Sequence, residues 1–292
     1  MLKRRCTAAA VVLSLALAAP ASADLIHFFG HVDGSQEVPP TGSPGTGTCD
    51  WVMDTASNTI SYHVQSQGTN GSIIAQHFHG MAPPGQNANI LHNIGTGNPA
   101  SGMWFYLEAQ EADIIAGLTY VNVHTTTNSG GEIRGQNLLT ARVYCSGDGT
   151  GTACPCNNAG GAGEGCKNSS GSGGVLAPFG SASVGLDDMR FDASSLLPGQ
   201  PALLFAGLNA VNNGDGVTFG DGLRCAGGSV VRLGVRVPDA QGEASWGPGL
   251  SGQGGWSGGD RRFVQAWYRD PNGGPCGFGF NLSNGLDITF AP

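Results

Sequence analysis

Charge is scarce in this 292-residue sequence. Only 12 % of its residues are Asp, Glu, Lys or Arg, about half the usual share. Within that small share 13 Lys and Arg stand against 21 Asp and Glu. A chain so poor in cations cannot neutralise a run of phosphates, so nucleic acid is not an expected partner. Long apolar runs are missing too. The longest lies within the first 23 residues and is too short to span a bilayer comfortably, and no later stretch approaches ~18 unbroken apolar residues. No membrane span is therefore expected in the mature chain. Histidine is absent after His124. That removes the case for a hydrolase built on Gly255-Trp256-Ser257-Gly258-Gly259, because a Gly-x-Ser-x-Gly elbow needs a later histidine as its base.

Glycine is what the chain has in excess. The 50 Gly and 16 Pro make up about 23 % of it, against roughly 12 % in average usage. Hydrophobic residues at 40 % still suffice for a core, so wholesale disorder is not expected. Scattered Thr, Val and Phe between glycine-rich turns suit strands rather than long helices.

Residues 1–23 read as a secretory signal peptide: Lys3, Arg4 and Arg5, then an apolar run, then Ala21-Ser22-Ala23 as a small-x-small cleavage site. Cleavage near Ala23 leaves 10 basic and 21 acidic residues, a net charge of −11 over 269 residues. The expected location is secreted or cell envelope. Seven cysteines remain, and an oxidising compartment makes disulfides their default.

Composition changes near residue 144. Residues 24–144 hold all seven histidines and two basic residues, Arg134 and Arg142. Residues 145–292 hold no histidine, six cysteines and 34 glycines. We read two β-domains, 24–144 and 145–292. In the first, Ile60, Tyr62 and Val64 alternate on one face, and residues 119–124 alternate again. Only residues 108–118 look helical. In the second, strands are expected near 203–205, 230–237, 263–268 and 286–290, with a loop at 247–259. Short strands between Gly/Pro/Asn clusters point to an antiparallel sandwich or barrel.

Three ordered motifs in the first module resemble the CHRD domain, the module repeated in chordin. They are Gln36-Glu37-Val38-Pro39-Pro40, Ala75-Gln76-His77-Phe78-His79-Gly80, and residues 118–125 followed by Gly131-Glu132-Ile133-Arg134-Gly135-Gln136. The resemblance covers about residues 25–140. It implies an exported Greek-key-like β-sandwich and no particular reaction. The second module is similar to a Gly/Cys-rich module of exported bacterial proteins of unknown function, through Cys154-Pro155-Cys156 and Phe219-Gly220-Asp221-Gly222-Leu223-Arg224-Cys225.

His77 and His79 lie two apart, so on a strand they share a face, with Phe78 on the other. His124 lies opposite Val121 and Val123. If the two strands are neighbours, three imidazoles converge, and His92 is the fourth candidate. Neutral imidazoles in that number suit copper or zinc. The pattern is also similar to part of Cu/Zn superoxide dismutase, although the His-rich zinc loop of that family has no counterpart here. Arg134, in a module with nine acids, is expected to pair with Glu37 or Glu132.

Residues 212–222 carry Asp215 and Asp221 in an Asn/Gly-rich turn, a calcium-loop hint whose register fails as an EF-hand. Among the cysteines, two disulfides within Cys145, Cys154, Cys156 and Cys166 are expected, with Cys225–Cys276 as the third and Cys49 free. Three functional readings stand open. One is an exported, non-catalytic protein that acts by binding a protein or surface partner. The second is a copper- or zinc-binding domain with dismutase-like chemistry. The third is a calcium-dependent adhesive module.

Overall fold

The computed structural model describes residues 24–271 and 273–292; the expected signal peptide, residues 1–23, lies outside the described residues. The first nine strands are β1 (Leu25–Asp33), β2 (Thr46–Asp54), β3 (Thr59–Gln67), β4 (Ile73–Gly80), β5 (Ile90–Asn93), β6 (Ala100–Phe105), β7 (Thr119–Thr125), β8 (Ile133–Gln136) and β9 (Leu138–Cys145). Between β6 and β7 a 3-10 turn, Glu108–Gln110, runs into one short helix, α1 (Glu111–Ile115). It is shorter than the sequence suggests, because Gly117 at φ +74° turns the chain away within two residues of its end.

The strands form two antiparallel layers. β6, β3, β2 and β1 make one, and β8, β7, β4 and β5 make the other. They meet at a corner where Asp33 of β1 pairs with Arg134 of β8. Alternation explains the sandwich. Ile26 and Phe28, then Cys49, Trp51 and Met53, then Ile60 and Val64 turn inward from one layer, and Phe78, Val121, Val123 and Ile133 from the other. Trp51 meets Phe78 edge to face across the interior, with ring centroids 4.6 Å apart. Truncating an aromatic at such a position typically costs about 3–5 kcal/mol.

The later strands are β10 (Val175–Phe179), β11 (Arg190–Ser194), β12 (Ala202–Gly207), β13 (Asn209–Ala210), β14 (Val217–Phe219), β15 (Gly222–Arg224), β16 (Ala226–Gly227), β17 (Val231–Arg236), β18 (Ala244–Trp246), β19 (Arg261–Arg269), β20 (Phe280–Leu282) and β21 (Gly285–Thr289). A second core lies between the β10-β11-β18 sheet and the layer made of β17, β12, β19 and β21, built from Phe191, Trp246, Leu204, Val264 and Ile288 among others. The expected loop at 247–259 contains one helical turn, α2 (Leu250–Gly254).

β9 belongs to both halves. It pairs with β1 on one side and with β21 on the other, so a single sheet runs through the molecule. Side chains add to that seam. His31 Nε2 lies 2.7 Å from Asp188 Oδ2, and Phe29 packs edge to face on Phe179 at 5.2 Å.

The disulfides are Cys145–Cys225, Cys154–Cys166 and Cys156–Cys276, and Cys49 is unpaired and buried. They correct part of the expected pairing: Cys49 is free and Cys154–Cys166 falls within the expected set, but Cys225 and Cys276 pair with Cys145 and Cys156 and not with each other. Two local features explain the difference. Gly285 sits opposite Cys145 in the β21–β9 ladder, and a Cβ built on it would stand 2.8 Å from Cys225 Cβ, so both cysteines arrive over one glycine. Cys156 has φ +57°, a left-handed turn that sends Cys154 and Cys156 to separate partners.

Candidate metal centre

The outward face of the β4-β7-β8 sheet carries most of the polar residues that the motifs contain. Ala75, His77 and His79 of β4 stand opposite His124, Asn122 and Tyr120 of β7. Tyr120 and Asn122 in turn stand opposite Gln136 and Arg134 of β8. Residues directly opposite in an antiparallel pair share a face, so the inward side of the same strands is left to Phe78, Val121 and Val123.

His77, His79 and His124 each bring one ring nitrogen within 4.8 Å of the other two. His77 Nδ1 lies 3.1 Å from His124 Nε2. Two loop carbonyls orient the rings. His79 Nδ1 is 3.0 Å from Ala88 O, and His124 Nδ1 is 3.0 Å from Ser129 O. A carbonyl can only accept, so each Nδ1 carries the proton and each Nε2 keeps its lone pair. His124 Nε2 therefore accepts from His77 Nδ1–H. His79 Nε2 is buried and has no hydrogen-bond partner, in a residue only 8 % exposed. The ring of His79 is held flat against Tyr120, with centroids 4.9 Å apart and planes 4° from parallel.

Burial and neighbouring charge disfavour the protonated forms of His77 and His79. Burial holds His77 below the usual imidazole range, and the neighbouring His124 and His79 push the same way. Burial also lowers His79; its bond to Ala88 opposes this, while His124 and Arg134 add to it. A neutral imidazole is the form that binds a metal, and an Nδ1–H donated to a carbonyl is the usual outer-shell arrangement of a ligating histidine. The donor set therefore suits zinc or copper.

His92 does not join the cluster. It pairs opposite Phe78, which turns it to the other face of the sheet, where it stacks near Trp104 and bonds Tyr62 Oη at 3.2 Å. Arg134 also departs from expectation. Among the described residues it forms no ion pair with Glu37 or Glu132. Its guanidinium lies 3.4 Å from the centroid of Tyr120 and donates to Asn87 Oδ1 and Gln136 Oε1. Glu132 is instead held by Ser43 Oγ, Asn70 N and Thr125 Oγ1. Glu37 lies beside Asn122; burial pushes it up to about 7 against the pull of Arg134. The stack of His79, Tyr120 and Arg134 was not anticipated. The alternation Tyr120, Asn122, His124 was its signal, since it puts all three on one face.

The two candidate calcium ligands do not form one site. Asp215 lies against Gly151, whereas the carboxylate of Asp221 is buried and accepts from Phe278 N at 3.0 Å.

No curated protein matches the chain. A family model does match, and its span takes in all three motifs and the whole histidine cluster. Residues 28–137 of this chain match the family model of the CHRD domain.

Proposed function

We propose that this is an exported two-domain β-protein whose CHRD domain holds one copper or zinc ion through His77, His79 and His124, and that it works by binding rather than by turnover. One observation carries the reading: a buried His79 Nε2 without a partner, beside two further imidazole nitrogens, with the His79 and His124 rings fixed by carbonyls on their far sides. An unsatisfied buried polar atom is costly, and a metal ion is a partner that would satisfy it. When bound, such an ion supplies a Lewis-acidic centre. The chain's own part is to present neutral rings, to hold His79 against Tyr120, and to fix the His79 and His124 tautomers. Export is supported by the leader and by three disulfides, which persist in oxidising compartments.

The test is elemental mass spectrometry on mature protein exported natively and purified without a His-tag. We expect near one copper or zinc per chain, lost in His79→Ala. Absence of bound metal in the wild-type protein, with none taken up from added zinc or copper, overturns the reading. Turnover abolished by His77→Ala would overturn its non-catalytic half.

A further inference from the structure

In the second module the β14–β15 turn approaches both the segment after β19 and the strand-free segment around Asn158. Asp221, in the turn, and Asp270, just after β19, are both 0 % exposed. Asp221 Oδ1 accepts from Phe278 N, but Asp221 Oδ2 is buried with no hydrogen-bond partner. Asp270 Oδ2 accepts from Ser169 N at 2.9 Å, and its other oxygen accepts from Ser169 Oγ. Gly274 shows how close the two carboxylates are. A Cβ built there would overlap Asp221 Oδ2 and stand 3.1 Å from Asp270 Oδ2.

Asn158, which is 6 % exposed, lies against the backbone of Asp221. Its Nδ2 donates to Lys167 O at 2.8 Å and to the backbone carbonyl of Asp221 at 2.7 Å. Rotating the amide would lose both bonds, so the nitrogen is fixed and Oδ1 is left buried without a donor. The Cys156–Cys276 disulfide ties two of these segments together, with Cys156 two residues before Asn158 and Cys276 two residues after Gly274. Among the described residues no Lys, Arg or His lies within 4.0 Å of either carboxylate.

Two buried carboxylates sharing one spot without a counter-charge are unfavourable unless something neutralises them. The candidate ligand atoms are all oxygens, two of them, Asp221 Oδ2 and Asn158 Oδ1, without a hydrogen-bond partner, and oxygens select a hard cation over zinc or copper. We infer that the second module binds a calcium-class divalent cation at Asp221 and Asp270, with Asn158 Oδ1 as a neutral ligand, and that the ion fastens the three segments together. This site is independent of the histidine cluster and stands or falls separately.

The experiment uses the full mature chain, stripped with a chelator and dialysed, then titrated with calcium while melting is followed. Binding should raise the melting temperature by about 5 °C at calcium a hundredfold above its dissociation constant. Bound calcium should approach one ion per chain. His79→Ala should keep the whole response. Asp221→Asn, which keeps the acceptor for Phe278 N, should weaken calcium binding at least about tenfold, and Gly274→Ala should do the same by crowding Asp221 Oδ2. If a variant fails to fold, the wild-type titration still decides. A stripped wild-type chain that binds no calcium and melts unchanged up to millimolar calcium overturns the inference, as does a response that His79→Ala abolishes.

Discussion

His27 should make the protein acid-labile through one identifiable side chain. It lies on β1, opposite Val52 of β2 and Ala141 of β9. Among the described residues no carboxylate lies within 4.0 Å of its ring. Burial lowers it from 6.5 to about 4. In the unfolded chain the ring titrates near its ordinary value. Between pH 6.5 and about pH 4 the unfolded state therefore binds a proton that the folded state refuses. Stability from this residue is fully present above pH 6.5 and is lost as pH falls towards 4. At 1.36 kcal/mol per pH unit the loss is about 3 kcal/mol, a shift of about 1 M in the urea midpoint for a chain of this size. The assay is urea unfolding of wild type and His27→Gln across that window. His77 and His79 contribute equally to both proteins, so the difference in pH slope isolates His27. Parallel slopes for the two proteins would refute the reasoning.

Asp50 should show the opposite sign. Burial raises it to about 7 against the pull of Arg190, so its stabilising contribution is present at low pH and lost as pH rises through about 7. Asp50→Asn should therefore melt above the wild type at alkaline pH, by about 2 kcal/mol, and the gain should vanish in acid; an equal effect at both ends of the pH range would contradict this. The Cys145–Cys225 disulfide closes a separation of 80 residues. Replacing both cysteines with serine should cost about 4–5 kcal/mol in guanidinium unfolding, and a loss below about 1 kcal/mol would show that the link does not constrain the unfolded chain.

The strands were legible where apolar residues recur with a two-residue period. Ile60, Tyr62 and Val64, and Val121 and Val123, are read correctly from a two-residue period. The same rule placed His77, His79 and His124 on one face, because β4 and β7 proved to be neighbours. His92 failed because facing depends on register. Its pairing with Phe78, beside a register shift at His79, turns it inward, and no local pattern encodes that shift. Arg134 failed because charge counting cannot see a stacked ring; Tyr120 offers its face where a carboxylate was expected. The cysteine pairing failed for a similar reason. A left-handed turn at Cys156 and a glycine opposite Cys145 decide it, and neither shows in the spacing of the cysteines. The buried Asp221 and Asp270 lie far apart in sequence and share no motif, so only the fold brings them together.

The strand shared by both halves has a mechanical consequence. β1 and β21 are each antiparallel to β9, so they run in the same direction on either side of it. Tension applied before Leu25 and after Thr289 pulls β1 and β21 in opposite directions along their lengths. The ladders flanking β9 are then loaded in shear, with their hydrogen bonds sharing the force rather than opening one at a time. Arg142, paired with Ile26 on one side and Asp287 on the other, sits at the middle of that load path. A chain built this way resists being stretched from its ends.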